Sequence, residues 1–401
     1  MKAIEIKGKV NTALCYAKVV EEEAIEHIRR MCDYAVTENS QICIMPDVHA
    51  GKGCTIGTTM TIADKVVPNV VGVDIGCGMY TVNLGKDEVD FEKVDEAAHF
   101  IPSGREVWEG RQEKFDLTNL HCYRELKEAK RLARSLGTLG GGNHFIEIDE
   151  AADGTKYLII HSGSRNLGKQ VAELYQKLAI NLNCGYGEYL KKRDEIIRTY
   201  KEQGRKSEIQ SALKQIRWQV HESSASIPED LCYLEGKYLE DYLHDVKICQ
   251  VFAKRSREKM AEIILERTRM NGSDAFHTIH NYIDTDEMIL RKGAIAAHKG
   301  ERVLIPINMK DGSILAIGKG NPEWNYSAPH GAGRIMSRTK AKNELNLDEY
   351  KQAMKGIYTN ENTLDEAPMA YKSLESIIDV IRESVDIIDV MKPIYNFKAS
   401  E

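Results

Sequence analysis

The scatter of candidate metal donors along this chain constrains its fold more than any other feature. Residues 71–80, VGVDIGCGMY, set Asp74 and Cys77 three positions apart among glycines, and His144, His161 and His280 follow in glycine-rich or polar turns. Between them lies a stretch at about 169–269 that is rich in Lys, Glu, Leu and Ala, poor in glycine, and reads as helical. If the donors meet, the segments on either side of that stretch must fold around a single centre. A domain boundary there is therefore excluded.

A carboxylate and a thiolate on one tight turn suit a metal. Mn²⁺ and Zn²⁺ accept oxygen, imidazole and thiolate donors, and a thiolate sulfur has enough lone pairs to bridge two ions. Taken alone, the D-x-x-C spacing equally describes a buried turn in which Asp74 caps amides and Cys77 fills space. Three histidine motifs tip the balance. In LGTLGGGNHFIEI (136–148) a glycine run delivers Asn143 and His144 to the start of a strand. In LIIHSGSRNLG (158–168) an apolar run ends at His161, ahead of an amphipathic helix, and in HTIHNYID (277–284) His280 precedes Asn281. Together with Asp74 and Cys77 these histidines form a candidate ligand set for two ions.

A fourth histidine has different neighbours. In YSAPHGAGRIMSRTKAK (326–342), His330 leads into Gly331, Ala332, Gly333 and Arg334, followed by Arg338, Lys340 and Lys342. A nucleophilic imidazole among flexible backbone and positive charge suits phosphate chemistry. The competing reading is a glycine turn before a basic helix.

The chain resembles the RtcB-type RNA ligases. VGVDIGCGM, GNHFIEI, HSGSR, HNY, RKGA and HGAGRIMSRTKAK occur in that family's order, and the resemblance runs over about 42–398. It implies an α+β fold, a single large domain over 1–401 with a mixed β-sheet core around a di-metal site and a helical insertion at about 169–269. It implies two Mn²⁺ ions on Asp74, Cys77, His144, His161 and His280, with Cys77 bridging, and Asp74 and Cys77 serving catalysis beside His330. It implies that His330 becomes guanylylated from GTP. The nucleotide contacts carried across by motif are Asn143, His144, Phe145, Ile146, Glu147, His280, Asn281, Pro306, Ile307, Asn308, Met309, Ser313, His330, Gly331, Ala332, Gly333 and Lys398. The implied reaction joins an RNA 3′-phosphate or 2′,3′-cyclic phosphate to a 5′-hydroxyl. GMP passes from the histidine to the 3′-phosphate and is displaced by the hydroxyl, in RNA repair or tRNA splicing. Arg165 in HSGSR is the expected RNA contact, and Asp47 and His49 in MPDVHAGKG (45–53) are expected to orient a ligand or phosphate. Two departures stand out: Pro306-Ile307-Asn308-Met309 replaces the common PGSM, and Ala399, Ser400 and Glu401 extend past Lys398.

Two other classes fit part of the pattern. A metal-dependent RNA-end phosphoesterase or end-capping enzyme of the same family would use the same ligands, and the HGAGR histidine with GNHFIE argues against a plain phosphoesterase. A non-catalytic RNA-binding protein would be expected to lack a ligand or His330, and none is missing.

The net charge of −6 argues against coating nucleic acid through a broad basic face but leaves room for an enzyme that handles RNA ends through local charge near His330, Arg165 and Lys169. No apolar run reaches membrane-spanning length and no export signal is visible, so a cytosolic monomer is the expectation. The nine cysteines lack paired spacing and are expected to be reduced thiols. Further expectations are an amphipathic helix near 21–34, mixed helix over 91–136, strands over 293–317 and a helical end at 374–391, with His221 and His244 as surface or interhelical residues.

Overall fold

The glycine-punctuated motifs fall at strand ends, and the sheet that collects them brings their donors together. The computed structural model describes residues 3–51, 53–183, 187–213, 227–359 and 363–398; His221 and the three residues after Lys398 lie outside them. The architecture is mixed α/β, with two large sheets and helices.

The seven-stranded sheet has the order Ser273–Ile279, Gly78–Gly85, Lys156–Ser162, Phe145–Glu150, Val385–Lys398, Gly312–Gly318, Arg302–Asn308. Every pairing in it is antiparallel. The expected mixed core is found in the six-stranded sheet instead. There the order is Ile4–Lys7, Thr12–Cys15, Ile42–His49, Ile56–Thr61, Ile289–Lys292, Asn281–Asp284, and one pairing, Thr12–Cys15 with Ile42–His49, is parallel.

The seven-stranded sheet curls. The Leu304 N–H of its last strand donates to Thr278 Oγ1 of its first at 3.1 Å. Strand side chains alternate between faces, and one face contributes Met79, Phe145, Ile159, Leu304, Leu315 and Met391 to a buried cluster. Burying each of these is worth about 1.5–3 kcal/mol. The register then fixes the site: Met79 and Phe145 both stand opposite His161, and Gly78 opposite Ile279. Cys77 and His144 immediately precede their strands, His161 is next to last in its strand, and His280 immediately follows its own. All four reach the same end of the curl.

The helix expected near 21–34 spans Glu22–Met31, buries Ala24, Ile28 and Met31 at helical spacing, and carries Glu22 and Glu23 at its start with Arg29 and Arg30 at its end. Over 91–136 two α-helices, Phe91–Phe100 and Ala129–Ala133, are separated by turns and two single-turn 3-10 helices, Leu117–Asn119 and Tyr123–Glu125. The 169–269 stretch includes most of Arg165–Asn181, then Gly187–Glu202 and Gly236–Thr268, the last packed against the sheet. The C-terminal expectation is corrected: the helix ends at Ile381, and Val385–Lys398 is a strand. Its apolar residues fit a helical period as well as an extended one. Pairing with Gly312–Gly318 on one side and Phe145–Glu150 on the other decides the matter. No disulfide joins cysteines among the described residues, and no helix among them is long and apolar enough to cross a membrane.

Candidate metal centre and nucleotide cavity

Two groups of donor atoms meet at the end of the curl, Asp74 with Cys77 and His144, and Cys77 with His161 and His280. Cys77 belongs to both. Its Sγ lies 3.6 Å from His144 Nε2 and 3.3 Å from His161 Nε2. His161 Nε2 is 3.1 Å from His280 Nε2, and His144 Nε2 is 3.0 Å from Asp74 Oδ2.

Hydrogen bonds behind the rings set the tautomers. His144 Nδ1 faces Leu139 O at 2.8 Å and His161 Nδ1 faces Asn143 O at 3.0 Å. A carbonyl only accepts, so each Nδ1 carries the proton and each Nε2 points a lone pair at the sulfur. Such lone pairs cannot satisfy one another, and Asp74 Oδ1 is buried with no hydrogen-bond partner. Divalent cations resolve that convergence, so the donor set fits a pair of them.

The electrostatics agree. Burial is the leading cause that pushes both His161 and His280 far below the ordinary imidazole value. Both rings are therefore held neutral, the form that binds metal. Burial and then the Asp74 charge push the Cys77 thiol well up, so a thiolate there needs a cation. Burial pulls the Asp74 carboxyl up as well, but a positive group at the His144 Nε2 position, a proton or a bound cation, would draw it below the usual carboxylate value. Gly163 is a steric requirement of this packing, because a Cβ there would sit 2.1 Å from Asp74 Oδ1.

His330 is next to the centre, its ring stacked on His280 with centroids 4.9 Å apart. Its Nδ1 lies 2.7 Å from Asp47 Oδ2, which also accepts from the His330 backbone N–H at 3.2 Å. Asp47 is fully buried. As an acceptor it keeps the proton on Nδ1 and leaves the Nε2 lone pair for attack. Gly293 permits the close approach: its φ is +60°, and a Cβ would lie 2.1 Å from Ile56 Cγ2 and 3.3 Å from His330 Cε1.

A cavity of about 310 Å³ opens beside His330, lined by Asn143, Phe145, Glu147, His161, Pro306, Ile307, Asn308, Met309, Gly331, Ala332, Gly333 and Lys398, with His49, Arg334, Arg338, Glu366, Tyr371 and Asn396. Ile307 thus faces it despite the altered motif. Asn281 does not: its Oδ1 accepts from Gly293 N–H at 3.0 Å and its carbonyl from Gly76 N–H at 2.6 Å. Ile146 is packed in the core and Ser313 is fully buried, and neither lines the cavity. His144 and His280 belong to the donor groups beside it.

Glu366 has no signature in the sequence, yet it organises one wall of this cavity. Only 2% exposed, it pairs with Arg338 Nε at 2.9 Å, Arg334 NH1 at 3.1 Å and Lys398 Nζ at 4.0 Å, and accepts from the Tyr371 hydroxyl. Lys398 also stands over the Phe145 ring, 4.7 Å from its centroid. Glu147 accepts from Asn396 Nδ2, and burial raises its carboxyl and that of Asp149 two positions on. Asn396, like Glu366, is an isolated residue that no motif marks.

Arg165 is on the other side of the centre, in a second cavity of about 510 Å³ lined also by Asp74, Arg105, Arg131, Asn143, His144, Asn166 and Lys169. Its NH2 donates to Gly104 O at 2.7 Å and its Nε to Thr138 Oγ1 at 3.1 Å. The guanidinium therefore braces two loops while bordering a basic space. His244 is on the Gly236–Thr268 helix beside Asp245, 3.1 Å away and far from either cavity in its contacts.

The family model described as tRNA-splicing ligase RtcB matches residues 34–125 and 109–399. The RNA-splicing ligase RtcB of Escherichia coli (strain K12) is 29% identical over 400 residues, covering 88% of each chain. The tRNA-splicing ligase RtcB of Thermococcus kodakarensis is 26% identical over 438 residues, covering 87% of this chain and 86% of its own. That of Aeropyrum pernix is 28% identical over 413 residues, covering 84% and 83%.

Proposed function

The chain belongs to the RtcB family and is an RNA ligase, and we propose that it joins RNA 3′-phosphate or 2′,3′-cyclic phosphate ends to 5′-hydroxyl ends using GTP and two Mn²⁺ ions. The observation that carries this reading is the sharing of Cys77 Sγ by two donor groups, with the ring of His330 stacked on one of their histidines and lining the adjoining cavity. A phosphoesterase would have no use for that cavity.

Asp74, Cys77 and His144 would hold one ion, and Cys77, His161 and His280 the other. When bound, such ions supply Lewis acidity to phosphoryl oxygens and a clamp on attacking and leaving groups. The remaining steps belong to the chain's own residues. Asp47 keeps His330 in the tautomer whose Nε2 can attack the α-phosphorus of GTP, forming an N–P bond as pyrophosphate leaves. Lys398, Glu147 and the wall built on Glu366 hold the nucleotide. A 2′,3′-cyclic end is first opened by water, breaking the bond to the 2′-oxygen, and His330 then yields GMP to the RNA 3′-phosphate, because a phosphate terminus lacks a leaving group until it is joined to GMP through a pyrophosphate linkage. Attack by the 5′-hydroxyl breaks that linkage and releases GMP. Arg165, with the basic cavity around it, receives the RNA phosphates.

In this reading 1–401 is one ligase domain with a helical insertion at about 169–269, supported by the meeting of donors from both sides of that stretch. It acts as a cytosolic monomer. The test is incubation of the chain with 3′-phosphate and 5′-hydroxyl RNA, GTP and Mn²⁺. Joining that requires all four is expected, and joining or end hydrolysis that proceeds without GTP would overturn the nucleotide role.

A further inference from the structure

One fully buried charge at the metal centre has no part in the reaction just described. Arg257, on the Gly236–Thr268 helix, is 0% exposed. Its NH1 donates to Gly76 O and to Ser162 O, each at 2.7 Å. Gly76 immediately precedes Cys77, and Ser162 immediately follows His161. A single nitrogen therefore ties the turn that carries Asp74 and Cys77 to the strand end that carries His161.

The same face of the helix meets the other donor segments. Gln250 Oε1 accepts from Ile283 N–H at 3.0 Å, just past His280, and Ser256 Oγ accepts from Gly137 N–H at 2.9 Å, at the start of the glycine loop leading to His144. A Cβ on Gly76 would lie 3.0 Å from both Ala253 Cβ and Gln250 Cα, so helix and turn are in close contact. Positions 250, 253, 256 and 257 recur at helical spacing, which puts them on one face.

The sign of the charge separates two possible roles. The charged groups facing Arg257 are Cys77, Asp74 and Glu258. A guanidinium beside a cation site repels the cation, so a purely electrostatic role would make removal of Arg257 tighten metal binding. A geometric role predicts the reverse, because without the clasp two buried carbonyls lose their donor and the two donor segments are free to separate.

We propose that Arg257 is a positioning residue for the metal centre, clasping the Gly76 and Ser162 carbonyls so that the Asp74–Cys77 turn and His161 keep the spacing that two cations require. The proposal rests on the two-ion reading above. Supports of this kind are worth about 10- to 100-fold in metal affinity.

The test is equilibrium dialysis of the full chain against Mn²⁺, with bound metal counted by mass spectrometry and thermal unfolding followed by circular dichroism on the same preparations. Arg257→Met, of similar length, should unfold cooperatively, with native helix content at low temperature, and bind Mn²⁺ about 10- to 100-fold more weakly. Arg257→Lys, which keeps the charge but ends one bond short of the NH1 position, should also bind more weakly. Unchanged or tighter Mn²⁺ binding in folded Arg257→Met overturns the proposal. If that variant does not fold, Arg257→Lys decides in the same way: weakened binding supports the clasp and wild-type binding refutes it. Failure of the unaltered chain to bind Mn²⁺ would instead refute the two-ion reading.

Discussion

Replacement of Asp47 isolates the step at His330 without touching a metal donor. Asp47 Oδ2 faces His330 Nδ1 at 2.7 Å and the His330 backbone N–H at 3.2 Å, and it belongs to neither donor group. A hydrogen bond to a charged group is worth about 1.5–3 kcal/mol, and each 1.36 kcal/mol of barrier is about tenfold in rate. Asp47→Ala should therefore slow guanylylation by about 10- to 150-fold. Asp47→Asn should be at least as slow, because its amide can donate to Nδ1 and hold the proton on Nε2, where it blocks attack. The assay is single-turnover transfer of label from GTP to protein at saturating Mn²⁺, with unfolding temperature and metal content measured alongside. Guanylylation within about twofold of wild type in folded, metal-loaded Asp47→Ala or Asp47→Asn would refute the tautomer argument.

Cys77→Ser replaces the shared thiolate with a hydroxyl that stays protonated near neutrality, so at least one ion per chain should be lost and guanylylation should fall by orders of magnitude; full Mn²⁺ occupancy by mass spectrometry would remove the bridge. Arg165→Ala should leave guanylylation nearly intact while RNA joining drops at least about tenfold, the loss of one charged hydrogen bond. Equal loss of both on one folded preparation would reduce Arg165 to the brace it makes with Gly104 and Thr138. In the metal-free chain His161 and His280 have depressed values, so the unfolded chain takes up protons that the folded chain refuses. Their contribution to stability is complete above about pH 6.5 and falls by up to about 1.4 kcal/mol per pH unit for each ring below it. Thermal unfolding between pH 7 and 5 should show that slope, and His161→Gln should flatten it; an unchanged slope would contradict the burial argument.

The donors were legible because glycine and polar turns mark the places where a strand stops and a side chain is presented, and Cys77, His144, His161 and His280 all stand at such junctions. His330 was legible from HGAGR for the same reason. The C-terminal strand was not, because Val385, Ile387, Ile388, Val390 and Met391 suit either period and only pairing with two distant strands selects one. Glu366, Asn396 and Arg257 carry no local signal at all. Each is an ordinary polar residue whose role arises from what the folded chain sets beside it, three cationic groups for Glu366 and two backbone carbonyls for Arg257. Asn281, Ile146 and Ser313, which the motifs place among the nucleotide contacts, do not line the cavity.

Covalent bonding of His330 to GMP, on which the proposed reaction turns, is measured directly by incubating the chain with α-labelled GTP and Mn²⁺ and separating it by denaturing electrophoresis. A histidine phosphoramidate is acid-labile and tolerant of base. Label with that stability is expected on the protein, lost when Mn²⁺ is withheld and absent from His330→Ala. Label that survives acid, or that persists in folded His330→Ala, would contradict the covalent step.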